Sequence, residues 1–554
     1  MLKRLLIVGT LLTCAIASGA SKIAPDVPMT GGNIPVIVRF VNPPSKNDLK
    51  LLGPYGQIKK HLDVINAVHV SLSPQVIQYL ATLPIIAYIS PDRPTFKSLD
   101  ITTQAVNANL VWQFGYEGTG VGVAVIDSGI APKHDLTKKD GITSRVVYSQ
   151  NFVETEDGND NYGHGTHVAG IIGANGLDST GPLFSRTFKG VAPNVNLVSL
   201  KVLDRTGAGN ESDVIDAIQT AIALKSTYNI RVINLSLGRP VFESYTLDPL
   251  CQAVEAAYQA GIVVVVAAGN FGRDNTRGTK GYGTIASPGN DPYVITVGAT
   301  NAKGTPSAYD DQIASYSAKG PTVVDHIVKP DIVAPGNGIV SLLASTNCTL
   351  FTQYSSTHIS NSYDLLGGLG VNTKYFKLSG TSMATPVVAG AVALMLQKTP
   401  SLTPDQVKER LMRTARKMLP KFMFAADAFS LAVFNNNADI FTVGAGYLDI
   451  NAALANTDLI TVPAMSPVVT YNPTTHKVGL SKTFAKIMGL DDSVVWGDTL
   501  LTFITTGAQV VWAADDSVVW GDATNLAFGV IWGDSVSVNT PPVAMSDDDG
   551  DIDQ

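Results

Sequence analysis

Cysteine is scarce in this chain, three in 554 residues. Cys14 falls within the first twenty residues, which leaves Cys251 and Cys348: enough for one disulfide, too few for a disulfide framework. Charge is scarce too. Asp, Glu, Lys and Arg make up 15% of residues, the formal net charge is −7, and no segment clusters Lys and Arg. A surface that neutralises phosphates needs such a cluster, so nucleic acid is excluded as a partner. No apolar run reaches the roughly 20 residues a membrane-spanning helix requires, so no transmembrane segment is expected. Tryptophan is rare and unevenly spread: four of the five lie between Trp496 and Trp532.

What is abundant is apolar content, 45%, together with 50 glycines and 30 prolines, the composition of a large-cored, loop-rich extracellular enzyme and not of a disordered chain. The length suits two or three folded units. Lys3 and Arg4, the apolar stretch Leu5 to Ile16 and the small residues Ala17 to Ala20 read as a secretory signal over 1–20, placing the mature protein outside the cell. Thr13 is a poor residue before a lipidated cysteine, which argues against a lipoprotein reading of Cys14.

From Ile34 to Pro91 the pattern predicts a small α+β unit: strands at Pro35 to Phe40, Ala67 to Val70 and Ile85 to Ile89, with helices at Lys46 to Leu52 and from Ser73-Pro74 to Leu83. Residues 92–105 turn polar and irregular, as a linker and processing site would. From Gly120 to Asn456 apolar strand-like runs (Val121 to Ile126, Val195 to Val202, Val232 to Leu237, Ile262 to Ala268, Val294 to Ala299) alternate with helical stretches (Ser212 to Lys225, Pro249 to Ala260, Met383 to Gln397). Buried strands alternating with helices imply an α/β domain with a mostly parallel sheet covered on both faces. The tail carries Val494-Val495-Trp496-Gly497-Asp498, again at Val518 to Asp522 and Val530 to Asp534, with a degenerate copy at Val510-Val511-Trp512. Aromatic and β-branched residues with Gly-Asp turns favour short strands, and the acidic run Asp547 to Asp553 closes the chain.

Four segments carry chemistry. Asp127 ends an apolar strand, where open α/β sheets place their sites, although a turn-forming aspartate reads the same way. In Gly163-His164-Gly165-Thr166-His167-Val168-Ala169-Gly170, glycines allow close backbone approach around His164, a candidate general base; His164 and His167 are three apart without a glutamate between them, which is not zincin spacing. Ser382, in Ser379-Gly380-Thr381-Ser382-Met383-Ala384-Thr385-Pro386, opens an apolar helix whose free N–H groups suit a developing oxyanion. Asn270 leaves a buried strand in Ala267-Ala268-Gly269-Asn270, with an amide able to donate to that oxyanion.

The order aspartate, histidine, asparagine, serine, each in its motif, resembles the subtilisin-like serine proteases, and so do Asn234 to Gly238, Lys329 to Gly336 and Gly446 to Asp449. The resemblance covers Val111 to Ala453. It implies a subtilisin-like three-layer fold, a nucleophile at Ser382, a base at His164 oriented by Asp127, and an oxyanion hole at Asn270. It further implies a substrate edge strand at Ser236, Leu237 and Gly238, and a pocket of Ala268, Gly269 and Ala286 whose small residues would accept an apolar or aromatic side chain. His167 matches a packed, structural position. The resemblance makes 30–95 a ferredoxin-like propeptide that templates folding and then inhibits, released by a cut between Asp92 and Thr103, with 105–455 catalytic and 456–554 a β-rich repeat tail. No cofactor is required for the chemistry; Asp135 matches a position that supplies a calcium ligand in many relatives. Partners are protein or peptide substrates and the chain's own propeptide, with the enzyme a monomer. Activity should fall as His164 protonates below about pH 6–7, given an ordinary imidazole.

Two rival readings are weaker. An α/β-hydrolase would run serine, acid, histidine, opposite to the order here. A catalytically dead binding protein, using its Trp-Gly-Asp tail for surface attachment, would be expected to have lost a catalytic position, and all four are present.

Overall fold

The computed structural model describes residues 22–24, 27, 32–91, 101–276, 278–368, 370–420, 422–426, 432–472, 477–480, 502–506, 509–512 and 518–520. The expected signal peptide, the linker up to residue 100 and most of the Trp-Gly-Asp tail lie outside them. The chain divides into two units, Met1–Phe96 and Lys97–Gln554.

In the first unit, β1 (Ile34–Phe40), α1 (Lys46–Leu52), β2 (Ile58–Leu62), β3 (Ala67–Leu72), α2 (Pro74–Thr82) and β4 (Ile86–Pro91) form an antiparallel sheet ordered β2-β3-β1-β4 with two helices. Ser45 starts α1 through a capping box with Asp48, and Ser73 caps α2 ahead of Pro74. Alternate strand residues Val36, Val38, Phe40, Val68, Val70 and Leu72 meet Leu52, Ile77 and Leu80 in one core. Strand β2 is absent from the sequence expectation because Ile-Lys-Lys-His-Leu puts apolar residues only at its ends; an edge strand needs little more, and pairing with β3 reveals it.

The second unit opens with short helices α3 (Ile101–Ala105) and α4 (Ala108–Trp112). There follow β5 (Gly122–Asp127), β6 (Val146–Asn151), α5 (His164–Gly173), β7 (Asn196–Lys201), α6 (Glu211–Ala223), α7 (Lys225–Tyr228), β8 (Ile230–Leu235), α8 (Pro249–Gln259) and β9 (Val263–Ala267). Next come β10 (Ile295–Asn301), β11 (Gln312–Ile313), β12 (Ile332–Pro335), β13 (Ile339–Leu342), α9 (Thr349–Gln353), β14 (Tyr375–Leu378) and α10 (Thr381–Lys398). The central sheet runs β11-β10-β9-β8-β5-β7-β6, with β12 on β10, and every pairing is parallel except β10 with β11.

The period of two assigns the sheet's faces. Val123, Val125, Val232, Val265 and Val297 face a core shared with α5 and α10, while Ala124, Ile126, Ile233, Leu235, Val264 and Val266 face one shared with α6 and α8. Strand β6, Val-Val-Tyr-Ser-Gln-Asn, is half-buried at the sheet's edge, which is why its apolar signal is weak. Beyond the α/β core, five short strands between Val469 and Trp520 pair antiparallel in chain order, and two repeat segments, Gln509–Trp512 and Val518–Trp520, are neighbours there.

Candidate active site

Strands β5, β8 and β9 lie side by side and parallel, so their carboxyl ends deliver Asp127, Ser236 and the Ala268-Gly269-Asn270 turn to one edge of the sheet. Helices α5 and α10 pack on the same face of that sheet and begin at His164 and at Thr381-Ser382. His164 Nδ1 lies 2.7 Å from Asp127 Oδ1, with both residues buried. The same oxygen accepts the Ser128 N–H at 2.7 Å, so two donors fix the carboxylate plane. Ser382 Oγ donates to the Ser236 carbonyl at 3.1 Å and Ser236 Oγ donates to the Ser382 carbonyl at 2.8 Å, which ties the start of α10 to the end of β8.

A second buried carboxylate organises the start of α5. Asp160 accepts from Gly163 N (2.7 Å), Thr166 N (2.8 Å) and Ser128 Oγ (2.8 Å), while Ser128 Oγ accepts from Gly165 N at 2.9 Å. Three of the otherwise unpaired N–H groups at the start of α5 are thereby satisfied. The strand carrying Asp127 and the helix carrying His164 are also joined through residues adjacent to both. Gly165 is required here: a Cβ would stand 2.2 Å from the Gly129 carbonyl. Sequence reasoning misses Asp160, whose spacing of four from His164 gives no signal without the fold.

Asn270 presents its amide to the same edge. Its Oδ1 accepts from Thr381 N (2.9 Å) and Thr381 Oγ1 (3.0 Å), while its buried Nδ2 has no partner. A carbonyl oxygen gripped from two sides leaves the amide nitrogen aimed elsewhere with its donors free, the requirement for receiving an oxyanion. Thr381, which sequence reasoning also passes over, therefore orients Asn270.

His167, one turn along α5, is fully buried, has Nε2 3.0 Å from the Ile339 carbonyl and meets Phe376 edge-on. Burial, with His164 adding to it, pushes its pKa down to about 3. It is a packed neutral histidine and not a second base. Because its folded pKa lies below the ordinary imidazole value, its stabilising contribution is intact above about pH 6.5 and is lost as pH falls toward 3. Thermal midpoints of the full chain between pH 7 and about pH 4 should therefore fall less steeply in a His167→Asn background, by the equivalent of one proton; parallel slopes would contradict this account.

A family model described as the subtilase family matches residues 118–446, an interval containing all four candidate residues. The chain belongs to the subtilase family. Among its relatives, Serine protease AprX of Bacillus subtilis (strain 168) is 38% identical over 365 residues, covering 64% of this chain and 75% of that protein. Subtilisin E of the same organism is 35% identical over 375 residues, 67% of this chain and 80% of the relative. An alkaline protease of Alkalihalobacillus alcalophilus is 32% identical over 427 residues, 74% and 92% respectively. As a subtilase, the chain is a serine endopeptidase.

The subtilase's expected pocket residues come together around Gly269, where a side-chain Cβ would lie 3.3 Å from Ala286 Cβ and 3.4 Å from Ala318 Cβ. Ala286 N donates to the Ala268 carbonyl and Ala318 N to the Gly269 carbonyl, both at 2.9 Å. Ala318 joins Ala268, Gly269 and Ala286 from a segment with no motif of its own. Gly238 leads into Arg239, which pairs with Ser287 through two backbone hydrogen bonds of 3.0 and 2.8 Å, joining the edge segment to the pocket segment. Cys251 and Cys348 are both free and buried, so the disulfide that their number allows is not formed.

Asp135 is fully buried, and both carboxylate oxygens are engaged: Oδ1 accepts Asp178 N at 2.7 Å and Oδ2 accepts the Tyr375 hydroxyl at 2.6 Å. Burial pushes its pKa up against these hydrogen bonds. Among the described residues, His134, Asp135 and Asp178 are the one group of three whose ligand atoms lie within 4.8 Å of one another.

Proposed function

We propose that this subtilase is a secreted endopeptidase, made as a self-processing zymogen, that cleaves proteins by an Asp127–His164–Ser382 triad through an acyl-enzyme. The observation that carries the reading is the buried 2.7 Å bond between His164 and Asp127 at the sheet edge that also holds Ser382 and an Asn270 Nδ2 with no partner.

Ser382 Oγ gives up its bond to the Ser236 carbonyl and attacks the scissile carbonyl carbon as His164 Nε2 takes its proton; Asp127 holds the Nδ1–H and stabilises the imidazolium. Negative charge gathers on the carbonyl oxygen, facing Asn270 Nδ2 and the Ser382 N–H at the positive end of α10. The proton passes from His164 to the departing amine, the C–N bond breaks, and an ester remains on Ser382. Water, deprotonated by His164, hydrolyses that ester and restores the serine. No cofactor enters these steps. A substrate would pair with Ser236 to Gly238 as an added strand, its side chain at the cut facing Ala268, Gly269, Ala286 and Ala318, a small-residue lining suited to an apolar or aromatic group.

Residues 30–95 would serve as propeptide, a template for a parallel sheet rich in non-local contacts. Thr102 and Thr103 are buried in the second unit, which supports a cut upstream of Ile101 within the expected window. Secretion rests on the signal-like residues 1–20, and the Trp-Gly-Asp tail is read as a short β-rich module. No helix among the described residues is long and apolar enough to cross a membrane.

The test is Asn270→Ala. It should lower kcat by about 10²–10³-fold with KM little changed, the size of loss found in subtilisin itself and not deduced for this chain. A change confined to KM, or no change on peptide substrates, would remove Asn270 from the oxyanion hole.

A further inference from the structure

The resemblance places a calcium ligand at Asp135, yet the oxygens around it already have protein donors. Beside the two bonds to its carboxylate, the Asp135 carbonyl accepts from Asn175 N (2.9 Å) and Arg145 Nη2 (2.8 Å). Arg145 is itself buried, and its guanidinium donates to three further main-chain carbonyls: Thr137 (2.9 Å), Val195 (3.1 Å) and Gly173. Gly173 is the last residue of α5, so a fixed positive charge sits at the negative end of the helix that begins with His164. Asp178, the remaining acid, has His134 Nδ1 at 3.1 Å and Lys374 Nζ at 3.3 Å on one oxygen.

Calcium takes six to eight oxygens at about 2.3–2.6 Å. Calcium would compete here with the Tyr375 hydroxyl and the Asp178 amide for the Asp135 carboxylate, and with the guanidinium and the Asn175 amide for its carbonyl. The formal charges of Arg145 and Lys374 already balance those of Asp135 and Asp178. A guanidinium held by four carbonyls does the work of a carbonyl-ligated metal, with the advantage that it cannot dissociate.

We propose that in this subtilase the junction between the turn after β5 and the carboxyl end of α5 is closed by the tethered cation Arg145 and the Tyr375 hydroxyl, and that no calcium binds at Asp135. The anchor of the His164 helix then needs no metal from the medium.

The experiment uses full-length Ser382→Ala, so that no self-digestion intervenes, and compares thermal midpoints in millimolar calcium and in excess EGTA. Any calcium-dependent shift should be the same with and without Asp135→Asn. A shift present in the parent and lost in Asp135→Asn would place calcium at this carboxylate and overturn the proposal. Should Asp135→Asn fail to fold, Tyr375→Phe keeps the carboxylate: its midpoint should drop by roughly 2–4 °C, unrestored by calcium, whereas full restoration by calcium overturns the proposal. Arg145→Lys should lower the midpoint further, since a lysine cannot reach four carbonyls as a fork does; an unchanged midpoint also overturns it.

Discussion

Full-length Ser382→Ala is expected to be secreted with residues 30–95 still attached and to lose casein hydrolysis by about 10⁶-fold, the size of loss found for the nucleophile of subtilisin itself. On the proposed mechanism the loss is that large because the serine, the histidine and the aspartate would act as one unit: without Oγ no acyl-enzyme can form, and there is no proton for His164 to take. Residual turnover would come from the Asn270 amide and the binding cleft acting on water. The same variant tests processing. If the chain trims itself, the wild-type product should begin between Asp92 and Ile101 by mass spectrometry, while Ser382→Ala keeps residues 30–95 attached. Hydrolysis in the mutant within a factor of ten of the wild type would sink the triad, and a mutant trimmed at the same bond would assign processing to another protease. An inactive, untrimmed wild type would instead favour a binding role.

Asp127→Asn is expected to lower kcat by about 10⁴-fold while KM and the thermal midpoint stay near those of the wild type. Asp127 Oδ1 accepts from both His164 Nδ1 and Ser128 N, so an asparagine can keep its carbonyl on the Ser128 N–H only by leaving His164 a weakened partner or an opposing amide. Turning the amide the other way presents N–H groups to Nδ1 and forces the ring's proton onto Nε2, where it cannot accept from Ser382. Steady-state kinetics on a short peptide, with circular dichroism to establish folding, separates this from unfolding. A tenfold loss or less would mean that Asp127 supports the ring sterically and not through its charge.

Legibility in the sequence followed the locality of each signal. Asp127, His164, Asn270 and Ser382 each sit in a run of glycines and small residues that only close backbone approach requires, as Gly165 against Gly129 illustrates. The buried strands were readable because Val-rich runs covered on both faces leave no polar positions to blur them. Strands β2 and β6, with one exposed or half-exposed face at a sheet edge, lacked that mark. Asp160, Thr381 and Ala318 act only on residues brought to them from elsewhere in the chain, at spacings set by the fold. The resemblance singles out Asp135 after β5, but its partners have no local signal, since Arg145 and Tyr375 reach it from ten and 240 residues away.

The amino-acid sequence by itself determined the parallel α/β architecture, the order of the four candidate motifs and the family, because hydrophobic period and local glycine patterns act over a few residues and survive without knowledge of packing. Tertiary structure alone decided which groups share a hydrogen bond: that His167 stays neutral in the core, that Asn270 is aimed by Thr381, and that a guanidinium fills the carbonyl cage beside Asp135. Those outcomes depend on burial and on distances of about 3 Å between residues remote in the chain, which only the folded sheet order sets.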